Sequence, residues 1–108
     1  MHAGWAFTAQ SLAEDASVRV VQCDREALPT EIRDADVAVP LMSRLDRTLL
    51  LSAVRLKLII QYGVGVEGVD IDTATQLGIW VSNITSAGTG NAVSCAEHAI
   101  FLVLATLR

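Results

Sequence analysis

The sequence predicts an α/β domain built on a parallel sheet. Strand-like and helix-like segments alternate at short intervals along its 108 residues, with no internal repeat and no low-complexity linker. The run from Leu56 to Gln61 is compact and apolar, with two adjacent isoleucines, as a strand buried on both faces of a parallel sheet requires. A mass of 11.5 kDa leaves room for one domain and one core.

The elements follow in order. Trp5 to Glu14 reads as a helix with Trp5, Phe7 and Leu12 turned inward, and Val18 to Gln22 as a strand. Leu28 to Asp34 is a short helix with Pro29 and Thr30 at its start. Asp36 to Leu41 is the next strand, centred on Val37-Ala38-Val39 and cut short by Pro40, which has no N–H to give a ladder. A polar turn, Met42 to Asp46, follows, and Asp46 is placed to cap a helix from Arg47 to about Val54 that buries Leu50, Ala53 and Val54 or their neighbours. After the Leu56 strand and a glycine-rich loop, Asp70 or Asp72 caps a helix from about Ile71 to Leu77, closed by Gly78. Ile79 to Ser82 is a strand that ends at Asn83 and Ile84. The small residues Ser86 to Gly90 make a turn, and Asn91 is expected to cap a final helix from Ala92 to Leu107. That helix is apolar nearly all round in its second half, so it calls for burial on every side.

Composition excludes several classes of function. The net charge is −4 and the eight Lys and Arg are scattered singly, so no nucleic-acid footprint is expected. Cys23 and Cys95 form no C-x-x-C pair, which argues against a zinc knuckle or redox motif and for two reduced, buried thiols. The longest apolar run, Ala99 to Leu107, is about half of what a bilayer crossing needs, so no membrane anchor is expected. Met1 to Ser11 lacks a basic stretch before an apolar one, and a cytoplasmic location is expected. With 52% apolar residues and a mean hydropathy of +0.44, some of the apolar surface is expected to pack on a partner or a further domain.

Gly63-Val64-Gly65-Val66-Glu67-Gly68 matches G-x-G-x-x-G behind the Leu56 strand. A dinucleotide site with this pattern also needs a helix N-terminus open to the pyrophosphate and an acid about 20 residues on for the ribose. Asp70 and Asp72 stand where phosphate would go, and the following strand ends without an acid. Three readings stay open: a dinucleotide site, a structural turn whose glycines permit positive φ, and a loop that offers backbone N–H groups to a small anion such as a carboxylate.

Leu56 to Ile60, Gly63-Val64-Gly65 with Val69-Asp70, Ala74-Thr75 before Gly78-Ile79, then Asn83, and Gly90-Asn91 with Ser94 and Ala96-Glu97-His98 together resemble the D-2-hydroxyacid dehydrogenase family. The order and spacing resemble the end of its substrate (catalytic) domain, and Val18 to Arg55 is compatible with what precedes. The resemblance implies a flavodoxin-like parallel sheet flanked by helices, here incomplete because no clear strand precedes the Trp5 helix. It also implies a division into a partial substrate domain, residues 1–90, and an interdomain helix, residues 91–108, that leads into a Rossmann cofactor domain. The cofactor in the family is NAD or NADP, none of which is expected to bind this chain alone. The family's catalytic Arg, Glu and His would lie beyond Arg108.

By this resemblance the backbone N–H groups of Val64, Gly65 and Val66 would hold the substrate carboxylate, with Val64 close to the nicotinamide. Ser43 and Arg44 match a second substrate-facing loop, although a solvated turn explains them as well. Asn91 is most simply a cap, with a contact to substrate or cofactor implied by the family motif. Glu97 and His98 are adjacent on a helix and so point in different directions, and no catalytic residue or metal ligand is assigned. Tyr62 either packs or lines the cleft.

The expected function is that of a substrate-domain part of an NAD(P)-dependent oxidoreductase acting on the CH–OH group of D-2-hydroxy acids, inactive alone. Its expected partners are a small 2-hydroxy or 2-oxo acid and either a Rossmann domain or a second subunit, the family being typically homodimeric. The alternatives are a non-enzymatic dimerisation or regulatory module and a minimal dinucleotide-binding domain.

Overall fold

A central parallel strand organises the chain, as the Leu56 run predicts, although of its residues only Ile59 is buried and Leu58, Ile60 and Gln61 are half-buried. In the computed structural model, which describes residues 9–107, that strand lies in the middle of a three-stranded sheet. The chain falls into two compact units, Met1–Glu31 and Ile32–Arg108.

The first unit holds a helical stretch whose described part is residues 9–13, and helix α1, Leu28–Glu31. Asp24 opens the turn before α1, its Oδ1 accepting from Glu26 N–H at 3.1 Å and Ala27 N–H at 2.9 Å. Two expectations fail here. Leu12 is 43% exposed rather than inward, and Val18 to Gln22 forms no strand because none of its backbone joins a ladder among the described residues. β-branched residues favour a strand only when a neighbour accepts their hydrogen bonds. Trp5 and Phe7 lie outside the described residues.

The second unit begins with a 3₁₀ turn, Ile32–Asp34, and contains β1 (Val37–Ala38), α2 (Arg47–Ser52), β2 (Leu58–Gln61), α3 (Ile71–Gln76), β3 (Trp80–Asn83) and α4 (Asn91–Thr106). The strand order is β1-β2-β3, all parallel, with Ala38 opposite Ile59 and Ile59 opposite Val81. Helices α2 and α3 form the crossovers and touch each other, as β-α-β units require. β1 has two residues where Asp36 to Leu41 was expected, since the backbone leaves the ladder before Pro40.

Both aspartate caps form. Asp46 Oδ1 accepts from Leu49 N–H at 3.0 Å at the start of α2. Of the two candidates for α3 it is Asp70 that caps, accepting from Thr73 N–H at 2.9 Å. The glycine stop is also met: Gly78 follows the C-cap residue Leu77 with φ +71°, in the left-handed region that a β-carbon disfavours. Helix α2 ends at Ser52, two residues short of the expected limit, so Leu50 and Ala53 are buried while Val54 is 82% exposed.

The core joins Ile32, Leu45, Leu50, Leu56, Ile59, Val69, Ala74 and Ile79. Thr73 is the buried polar residue among them. Its hydroxyl donates to Asp70 Oδ2 at 2.9 Å and accepts from Arg47 Nη1 at 3.4 Å, so burial leaves it satisfied.

Helix α4 departs most from expectation. Gly90, with φ +69°, holds the N-cap position, and Asn91 is the first helical residue rather than the cap. Asn91 instead accepts from Cys95 Sγ at 3.5 Å. No residue of α4 is buried, and Ile100, Phe101, Val103 and Leu104 are each at least 60% exposed. The cysteines are likewise exposed and free, not buried. Partial desolvation first, and then the charges of Glu31 and Asp24, push the Cys23 thiol up, away from the thiolate a nucleophile needs.

Candidate functional site

In parallel α/β sheets, ligands gather at the carboxyl ends of the strands, where the loops leave. Here the loops after β1 and β2 are joined at that end. Leu45 N–H donates to Gly68 O at 2.8 Å, and Asp70 N–H donates to Leu45 O at 3.0 Å, an isolated parallel bridge between Leu45 and Val69. Gln61, the last residue of β2, adds a second tie through its Nε2, which donates to Leu41 O at 2.9 Å. Leu41 has φ +51°, an uncommon conformation for a non-glycine residue, and this bond helps to hold it.

The glycine loop itself is anchored by its carbonyls. Gly63 O accepts from Ile84 N–H at 3.0 Å, Val64 O from Asn83 Nδ2 at 2.6 Å, and Val66 O from Val69 N–H at 2.9 Å. Among the described residues no hydrogen bond uses the N–H groups of Val64, Gly65 or Val66. A stretch of backbone held by its acceptors and left with its donors is suited to an anion.

The glycines do not act through unusual φ. Gly63, Gly65 and Gly68 are absent from the positive-φ residues, which overturns the reading of the loop as a turn that merely needs left-handed backbone. Packing against fixed atoms does not demand them either. A β-carbon on Gly68 would lie 3.5 Å from Ser43 O, an ordinary contact, and one on Gly65 would meet the flexible end of the Glu67 side chain.

The dinucleotide requirements are not met by these residues. The N-terminus of α3 is occupied by its own cap, and the Thr73 backbone and side-chain hydrogen bonds hold the Asp70 carboxyl below its ordinary range. A carboxylate in that position opposes a phosphate. At the end of β3, Asn83 spends its amide on Val64 O rather than offering an acid to a ribose.

Of the residues the sequence singles out, Ser43 and Arg44 reach the far end of the glycine loop at Glu67 and Gly68, while Val64, Gly65 and Val66 form its near part, tied to Asn83 and Ile84. Ser43 N–H closes the β1 loop on Pro40 O at 2.8 Å, its carbonyl faces Gly68, and Arg44 lines an open cleft of about 240 Å³ with Asp46, Glu67, Gly68 and Asp70. Asn91 bonds only within its own segment, to Thr89 and Cys95. His98 stacks on Phe101 with centroids 6.0 Å apart, on exposed α4. Tyr62 is 40% exposed. Sequence reasoning missed Gln61, Asn83 and Glu67. The first two could have been flagged as amides at the ends of apolar strands, where a loop needs tying.

A family profile for the catalytic domain of D-isomer specific 2-hydroxyacid dehydrogenases matches residues 6–106. The chain belongs to that family. It is 38% identical over 103 residues to a D-3-phosphoglycerate dehydrogenase of Mycobacterium bovis, covering 94% of this chain and 19% of the relative. With a glyoxylate reductase of Pyrococcus furiosus it shares 36% identity over 85 residues, or 78% of this chain and 24% of that one. Among solved structures, the NAD-dependent formate dehydrogenase of Staphylococcus aureus in complex with NAD superposes with a TM-score of 0.73 at 31% identity, over 92% of this chain and 30% of that one. The D-lactate dehydrogenase of Aquifex aeolicus complexed with NAD and lactic acid gives 0.72 at 27% identity, over 96% of this chain and 31% of that one. The chain thus spans about a fifth to a third of the length of these family relatives.

Proposed function

We propose that this chain supplies the carboxylate-binding loop of an NAD(P)-dependent oxidoreductase of D-2-hydroxy acids. The observation that carries the reading is the set of unused N–H groups at Val64, Gly65 and Val66 on a loop whose carbonyls are tied down. Preset amides hold a carboxylate without reorganising and without adding a charge near the reacting carbon. Residues Ser43 and Arg44, brought to Gly68, would face the rest of the acid.

Within this reading, residues 1–90 are the substrate side and residues 91–108 the helix leading toward a cofactor domain. NAD or NADP would take up the hydride from the hydroxy acid in such a domain, and its reduced form would return it to the oxo acid. The glycine loop of this chain does not fit a dinucleotide, so no step is assigned to it there. The hydride chemistry belongs to a cofactor domain in this reading, and the 108-residue chain alone is expected to be inactive. In a ¹⁵N–¹H titration, D-lactate should shift the amides of Val64, Gly65 and Val66 ahead of those of α2. The purified chain should show no NADH-dependent reduction of 2-oxo acids. Unmoved loop amides would remove the binding role, and measurable turnover would remove the inactivity.

The exposed apolar side chains of α4 favour a second reading, a dimerisation or regulatory module. It predicts association in sedimentation that weakens when Phe101 and Leu104 become serine. A monomer at every concentration, with no partner in pull-down, would exclude it.

A further inference from the structure

Glu67 is the ionisable side chain of the glycine loop that carboxylate binding leaves unused. It folds back over Gly65: its Cδ and Oε1 stand 3.0 and 3.1 Å from where a β-carbon on Gly65 would lie, with Oε2 closer still. The carboxylate therefore lies beside the same stretch of backbone whose N–H groups are unused. Among the described residues Glu67 makes no hydrogen bond or ion pair, and it is exposed.

The neighbouring carboxylates are already committed. Asp46 is engaged by Leu49 N–H, and Asp70 by the N–H and hydroxyl of Thr73. The cleft they share with Glu67 is lined by Arg44 and three carboxylates, and the charge of Arg47 acts on Asp70 from beside it, which leaves the surroundings one negative charge in excess. An acid with a single carboxylate can displace the side chain of Glu67, which has no bond to lose, and still gain the loop amides. An acid with a second anionic group must leave that group in a field of net negative charge.

We propose that Glu67 is a specificity residue, which makes the loop select acids with one anionic group and a neutral or cationic remainder over acids with two. This inference rests on the carboxylate-binding reading of the loop. Two like charges about 4 Å apart in a water-like surrounding cost about a fivefold change in binding. Each neighbouring carboxylate that is neutralised should recover about that much.

The test titrates the full 108-residue chain with D-lactate and with D-malate at pH 7 and matched low ionic strength, following the amides of Val64, Gly65 and Val66. Wild type should bind D-lactate at least about fivefold more tightly than D-malate, and Glu67→Gln should shrink that ratio by about fivefold. Glu97→Gln, which removes the same charge from exposed α4, should leave it unchanged. The inference is overturned if the ratio is the same in wild type and Glu67→Gln, if wild type prefers D-malate, or if Glu97→Gln has an equal effect. Loop amides that respond to neither acid in any of the three proteins would overturn the loop reading, and this inference with it. Unshifted amides in α2 show that the fold is intact throughout.

Discussion

Replacing Ile59 by alanine should lower the stability of the chain by about 2–5 kcal/mol, the range for a fully buried aliphatic side chain truncated to a methyl. Ile59 is 0% exposed at the centre of the middle strand, opposite Ala38 on one side and Val81 on the other. The cavity would open between the two neighbouring strands that pair with β2, so little can collapse into it. Domains of this size hold only about 5–15 kcal/mol in total. A loss of that size should therefore appear as a fall in Tm on the order of 10 °C or more. Val54→Ala is the contrast. That side chain is 82% exposed, and its truncation should change stability by no more than about 0.5 kcal/mol. Urea unfolding checks both, with an unchanged slope showing that the comparison concerns the folded state. Equal costs for the two substitutions would mean that β2 is not the centre of the core.

Gly65→Ala should have the opposite profile, with little effect on stability and a large one on binding. The backbone at Gly65 is not in the left-handed region, so alanine is not strained there. The atoms its methyl would meet belong to the mobile end of Glu67. The methyl would stand on the face where a carboxylate approaches the N–H groups of the loop, and affinity for D-lactate should fall by about tenfold or more, the loss of a charge-assisted hydrogen bond. The ¹⁵N–¹H titration measures this directly. Undiminished affinity in a folded Gly65→Ala chain would show that the acid does not bind over Gly65.

Much of the fold is legible because its signals are local. Asp46 and Asp70 cap helices by reaching N–H groups three residues ahead, and Gly78 ends one by its own φ, so each can be read from a few neighbouring letters. The strand at Leu58 to Gln61 is legible for the same reason: its apolarity marks the middle of a parallel sheet, with Ile59 in the core. What could not be read is whether a segment finds its partner. Among the described residues, Val18 to Gln22 has the composition of a strand and joins no ladder, while α4 has the composition of a buried helix and no residue buried.

The candidate site divides in the same way. Residue type and spacing alone carry the family, the position of the glycine loop after a sheet strand, and the mismatch of that loop with a dinucleotide. How the loop is tied down emerges only in the folded chain. Asn83 Nδ2 and Ile84 N–H come from segments about 20 residues away, and they fix which carbonyls are used and which N–H groups are left. Glu67 bends over Gly65 because that residue has no β-carbon, and such a contact depends on the shape of the loop rather than on the spacing of its letters. Hydrogen-bond supply and demand along a loop are settled by distant partners, and that is the physical reason the binding surface appears only once the chain is folded.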